Sequence, residues 1–175
     1  MGLFDEPLFD IKENCLELWD YSEVFPLDPA YDFPKGPVFV SGWPWQMLRQ
    51  LEEKENQQMT QPIISIIDLE PNESTRSFSD IYKTGVGAGQ LQWRIGRRAE
   101  PSFMISCWVD QQLGGMDMAR RLGGQVYAAI LYYKNRLTKI RNLHLVQSHA
   151  SLDDSSQLYR FDVVVQGNVF VTLDI

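Results

Sequence analysis

One stretch constrains the fold of this chain more than any other: SFMISCWVD, Ser102 to Asp110, followed closely by MDMARRLGGQVYAAILYYKNRLTKI. In the first segment Phe103, Ile105, Cys107 and Val109 fall at every second position, and a period of two puts all four on one face of a strand. In the second, Met118, Leu122, Val126, Ala129, Ile130, Tyr133 and Leu137 recur every three or four residues. That spacing predicts an amphipathic helix whose apolar stripe lies on the sheet. Arg120, Arg121, Lys134, Arg136 and Lys139 fill the rest of the helix. Its Gly123-Gly124 pair costs on the order of 1 kcal/mol per glycine relative to alanine, which points to close packing or a kink.

The remaining elements are placed around this unit. QPIISIIDLEP, bounded by prolines and rich in isoleucine, predicts a buried strand, and VFVSGW a short one before it. PWQMLRQLEEKENQQ predicts a helix with Trp45, Leu48 and Leu51 on its inner face. LHLVQSHA, QLYRFDVVVQ and VFVTLDI read as three closing strands, with Gly167-Asn168 as a two-residue hairpin turn between the last two. From Asn72 to Glu100 no sustained apolar period exists, so residues 72–100 are expected to be a long irregular excursion. The order predicts an α+β fold: a curved, mostly antiparallel sheet with helices packed on one face and a long inter-strand loop.

Charge divides the chain. Residues 1–43 hold nine acids and two bases, while the remainder holds 14 of each, so the whole net charge of −7 resides in the leading segment. That segment reads as an amphipathic helix (Leu8, Ile11, Cys15, Leu18, Trp19) followed by the proline-rich FPLDPAYDFPKGP, an expected extended linker. The expected organisation is an acidic N-terminal arm, 1–43, and an α+β domain, 44–175. A neutral body argues against general nucleic-acid binding. The N-terminus lacks a signal-peptide or myristoylation pattern, and no apolar run is long enough to span a bilayer. Cys15 and Cys107, far apart and without a CxxC pattern, read as buried thiols.

Patterns for catalysis are weak. Gly85, Gly87 and Gly89 form GxGxG without the GK[ST] of a phosphate loop. His144 and His149, five apart, point to opposite faces of a regular strand and make no joint metal site. No nucleophile elbow is present. The charge run around Glu52, Glu53 and Glu55 reads as a solvated helix face, and no cofactor is implied. The aromatic cluster of Tyr31, Phe33, Phe39, Trp43 and Trp45 reads as packing that staples the arm to the body, together with Trp19. The alternative is a cytosolic α+β binding module for a small or peptide ligand, with the tryptophan-rich 37–45 region as its pocket. From Ile81 to Ala99 there are four bases, Lys83, Arg94, Arg97 and Arg98, and no acid. A basic loop and an acidic arm on one chain suit a head-to-tail homo-oligomer, or else a loop facing DNA that passes through a ring.

From Trp45 to Ile175 the order of elements resembles the tail-terminator proteins of long-tailed phages, also called tail-completion or head-to-tail joining proteins, and the related neck proteins. The resemblance rests on IISIIDLE, the long loop, SFMISCWVD entering MDMARRLGGQVYAAI, and the closing LYRFDVVVQGNVFVTLDI. It implies a non-enzymatic structural protein of the virion, assembled in the host cytoplasm. It further implies a ring, commonly a hexamer, that caps the tail tube and joins it to the head connector. It places the long loop with Lys83, Arg94, Arg97 and Arg98 at subunit or tube contacts, or at the lumen and its DNA. The acidic arm of residues 1–43 departs from the shorter members.

Overall fold

A computed structural model of the chain describes residues 5–19, 36–53, 59–69, 80–86, 90–153 and 157–174, and only the backbone of 50–53, 80–86, 90–98 and 170–174. The strands are β1 (Val38–Ser41), β2 (Ile63–Leu69), β3 (Asp80–Val86), β4 (Gln90–Ala99), β5 (Ser102–Val109), β6 (Arg141–Asp153) and β7 (Leu158–Asp174). They form one sheet in the order β1-β2-β5-β7-β4-β3, with β6 also paired to β7. The β1–β2 pair is parallel and the others are antiparallel. The helices are α1 (Asp5–Ile11), continued by a π-helical turn over Lys12–Glu17, then α2 (Trp45–Glu53) in the β1–β2 crossover, and α3 (Gly115–Tyr133). This is the expected α+β architecture, with α1 and α3 packed on one face of a mostly antiparallel sheet. Most of the proline-rich linker, with Tyr31 and Phe33, lies outside the described residues, as do Lys54–Gln58 of the expected second helix and Gly87 and Gly89.

The alternation in SFMISCWVD is realised as read. Phe103, Ile105, Cys107 and Val109 are buried with Ile64 and Ile66 of β2 and Val163 and Val165 of β7. Over them lie Met118, Leu122, Val126, Ala129 and Ile130 of α3, and Ile11, Cys15 and Leu16 of the N-terminal helix. The intervening positions face the reverse side, where Trp108 of β5, Ile63 and Leu158 close a smaller cluster with Leu48 of α2 and with Met59. The sharp passage from β5 into α3 is made by Gly114 and Gly115, at φ 105° and 57°. Asp110 fixes it by accepting hydrogen bonds from the amides of Leu113 (2.7 Å) and Met59 (3.2 Å).

Several expectations are corrected. Gly167-Asn168 is no turn: it lies inside β7, one continuous strand of 17 residues. Glycine there serves close approach, since a Cβ at Gly167 would stand 2.4 Å from Ile140. The closing hairpin instead joins β6, through Asp153, to Leu158 of β7, and the expected three closing strands are two. The excursion between β2 and β5 is long as expected, but part of it is regular: β3 and β4 pair antiparallel from Asp80↔Gly96 to Val86↔Gln90. The two histidines share a face, because a bulge at Val146 shifts the register between Leu145↔Val165 and Gln147↔Val164 and flips the alternation. They remain four ladder steps apart, about 13 Å, and both are exposed. Trp45 is 58% exposed where an inner position was expected, while Leu48 is buried, and the side chain of Leu51 lies outside the described residues. α3 ends at Tyr133, and Leu137 is buried beyond it.

The adjacent glycines of α3 differ in kind. A Cβ on Gly123 would lie 2.1 Å from Phe161, whereas one on Gly124 meets nothing within 4 Å. Gly123→Ala should therefore lower stability by about 1–3 kcal/mol through overpacking, and Gly124→Ala should raise it by up to about 1 kcal/mol through helix propensity. Denaturant melts of the two variants at low protein concentration check the opposite signs.

Candidate assembly interface

β4 and β5 run along β7 as one line. The register Arg94↔Asp174 to Ala99↔Val169 continues without a shift as Ser102↔Gln166 to Val109↔Tyr159. Pro101 interrupts it, and its carbonyl still accepts the Gly167 amide at 3.2 Å. The sheet thus has a body, in which β7 is flanked by β5 and β6, and a three-stranded arm of β3, β4 and the end of β7. Pairing with β6 stops at Arg141↔Asn168. Among the described residues, the outer edge of β3 and the last part of β7 carry no further strand.

The four bases singled out in the sequence all fall on this arm. Their registers divide them: Arg94 and Arg98 occupy one set of alternate positions on β4, while Arg97 occupies the other, which Lys83 joins through its pairing with Trp93. By register they fall two to each face of the arm.

The three tryptophans go to two places. Trp19 is half-buried against the main core. Trp43 and Trp45 stack on each other at 5.6 Å on the reverse face, and Trp43 meets Trp108 edge-on at 6.0 Å. Sequence reading missed what holds this patch. The Arg160 guanidinium lies over both Trp43 (5.6 Å) and Trp108 (5.3 Å). Its Nε stands 3.1 Å from Asp162 Oδ2, off the line of a hydrogen bond. Asp162 accepts a 2.6 Å hydrogen bond from Ser106 Oγ, and Trp108 Nε1 donates to Ser65 Oγ at 2.8 Å. These groups form neighbouring rows across β2, β5 and β7: Ile63–Trp108–Arg160 and Ser65–Ser106–Asp162. The signal was present in the alternation of β7, where Arg160 and Asp162 share a face.

A second buried polar site anchors the N-terminal helix. Asp10, 5% exposed, accepts hydrogen bonds from the amides of Lys139 (2.7 Å) and Ile140 (3.3 Å), from Thr138 Oγ1 (3.4 Å) and from Asn14 Nδ2 (2.7 Å). Glu6 and Lys139 add an exposed ion pair at 3.1 Å. An open groove of about 420 Å³ lies along this seam, lined by Glu6, Phe9, Glu13 and Lys139 among others.

Both cysteines are buried free thiols. Burial first, and the nearby Asp10 carboxylate second, push Cys15 up to about 12; burial and Asp162 push Cys107 higher still. Among the described residues no group of three or more His, Cys, Asp or Glu is arranged to hold a metal, and no helix is long and apolar enough to cross a membrane.

No protein-family model matches the chain, and no curated protein matches it in sequence. Among solved structures, its fold is similar to the sheath/tube terminator of an extracellular contractile injection system, PVC, in the extended state. The TM-score is 0.55 at 14% identity, over 100% of this chain and 58% of that one. The chain therefore spans little more than half of that terminator's length. A chain of the virion of a native gene transfer agent particle also aligns, with TM-score 0.49, 13% identity and 94% of each chain covered. The likeness is one of fold, to part of that terminator.

Two outcomes follow from the buried groups. Asp10→Ala leaves the Lys139 and Ile140 amides without their acceptor, and thermal or urea unfolding should show a loss of about 1.5–3 kcal/mol. The thiols should resist alkylation near neutral pH until the chain unfolds. Because their folded pKa values lie above the ordinary 9.0, the unfolded chain alone ionises first as pH rises. Stability should fall progressively above about pH 9, and Cys15→Ala with Cys107→Ala should flatten that fall.

Proposed function

We propose that the chain is a non-enzymatic structural protein of a phage-type tail, a terminator that assembles with copies of itself into a ring at the tail end. On this reading the ring, most simply a hexamer, caps the tube and joins it to the head connector. The protein then resides in the virion after assembly in the host cytoplasm. The observation that carries the reading is the likeness of fold to a sheath/tube terminator over the whole of this chain. The arm supports it independently: a ribbon whose outer edges carry no further strand among the described residues, with an acid-free run from Ile81 to Ala99, suits contact with a neighbouring subunit, the tube, or DNA in the lumen. Residues 1–43 act as the leading segment and 44–175 as the terminator domain, with Trp19, Trp43 and Trp45 holding the two together.

The tryptophan patch gives the binding-module alternative less support. Trp43 is engaged by Trp108 and Arg160 from within the chain, and the described groove lies elsewhere, against α1.

Native mass spectrometry or sedimentation should give a mass of several subunits, either free or on purified tail ends. Arg94→Glu with Arg98→Glu should weaken that assembly if the arm meets a subunit. If it faces DNA, assembly should survive while DNA retention falls. A chain that stays monomeric at high concentration and does not co-purify with tails overturns the reading.

A further inference from the structure

The outer face of α3 carries a contradiction in terms of a lone subunit. Gly124 sits in the helix interior, where glycine costs on the order of 1 kcal/mol relative to alanine. Its φ is not positive, and a side chain there would meet nothing. Gly123 has a reason within the chain, the ring of Phe161; Gly124 has none among the described residues. Along the same face follow Ala128, Leu131 and Tyr132, at spacings of four, seven and eight residues, all exposed. Leu131 is 43% and Tyr132 66% exposed. A helix that leaves a small, then apolar and aromatic stripe in solvent is shaped for another surface to approach closely.

Charge says which surface. No acid occurs from Met118 to Leu152, a run with six bases. Of these Arg120, Arg121, Lys134 and Arg136 are exposed on α3 or just beyond it, while Lys139 is paired with Glu6 of the same chain at 3.1 Å, and Arg136 lies over the rings of Tyr132 and Tyr133 at 5.5 and 5.4 Å. The N-terminal helix has the complementary face. Glu6, Phe9, Glu13, Glu17 and Leu18 are exposed, three acids interleaved with two large apolar residues; Glu6 and Glu17 hold exposed pairs with Lys139 and Lys12 of the same chain, at 3.1 and 3.0 Å, and Glu13 faces outward between them. Both helices belong to the layer on one side of the sheet.

We infer that the outer face of α3, centred on Gly124 and Ala128, docks on the acidic outer face of the N-terminal helix in a second copy of this chain. The contact rests on the proposed self-assembly and names the surfaces that make it. It is heterologous, one patch meeting a different patch, and therefore suits a closed ring.

The test uses the full chain. Gly124→Leu and Ala128→Arg fill the face; both positions are exposed, so the folded monomer should keep its stability, and Gly124→Leu should gain some. Each should raise the concentration for half-assembly by about tenfold or more. To identify the partner surface, Gly124→Cys protein is mixed with Glu6→Cys, Glu13→Cys or Glu17→Cys protein and oxidised, the buried native thiols giving little background. A disulfide-linked dimer from at least one mixture is expected. An oligomer whose mass is unchanged by both blocking variants, or that gives no cross-link in any mixture, overturns this contact and leaves self-assembly standing. A wild-type chain that is monomeric throughout overturns self-assembly itself.

Discussion

The structure depends on the ladder between β7 and the continuous line of β4 and β5. From Tyr159 to Gln166 the strand is paired on both sides, by β5 and β6, and from Val169 to Asp174 β4 takes over on the side that β5 occupied. Body and arm therefore share their central strand. The arm is an extension of the core's own hydrogen bonding, in contrast to a loop pinned at its ends. At the junction Pro101 lacks an amide and Gly167 lacks a side chain, and the two face each other through a single 3.2 Å bond. A ladder of about 17 residues, on the order of 55 Å long, thus has one defined weak point where body and arm meet. Ile140 fills the space that glycine leaves.

The second organising constraint is the segregation of charge. Acids dominate the first 43 residues and vanish from 118 to 152. Within the chain the two regions meet at Asp10, whose carboxylate is consumed by amides of the loop after α3, and at the exposed Glu6–Lys139 pair. An exposed pair of that kind contributes little, about 0–1 kcal/mol. Among the described residues Glu13 on the acidic side and Arg120 and Lys134 on the basic side are exposed, where screening over about 10 Å confines them to short-range partners. Burial of Ile11, Cys15 and Leu16 in the main core, with Asp10 satisfied beside them, explains how so acidic a segment stays docked on the body.

What the sequence disclosed follows from how each signal is encoded. The core strand and α3 were legible because their apolar period matches their geometry over many residues, and Gly123 because a helix glycine asks for a reason. The arm was not: β3 and β4 mix glycines and bases with apolar residues, so no sustained apolar period marks them in the sequence. Gly167-Asn168 misled because glycine and asparagine have the composition of a turn, while the physical demand on Gly167 is the nearness of Ile140, a contact distant in sequence. The bulge at Val146 left no trace in composition, yet it decided the face of both histidines. The Arg160–Asp162 site was written in the alternation of β7 but needed the registers of β2 and β5 to bring Ser65, Ser106 and Trp108 beside it.

Two kinds of surface, on the proposed reading, share the work of assembly, and they differ in what they can specify. The edges of the arm, which carry no further strand among the described residues, offer backbone groups that any extended partner can satisfy, and such pairing tolerates slips of two residues because the side-chain pattern of a strand repeats at that interval. Adhesion of this kind does not fix a rotation between neighbours. A helix face bearing Gly124, Ala128 and Tyr132 among bases accepts a partner only where small residues meet bulk and bases meet acids. Like charges set opposite each other penalise every other arrangement. Closure of a ring requires one repeated rotation, so the helix layer is the part of this molecule able to set it, and the arm the part able to extend contact along the axis once it is set.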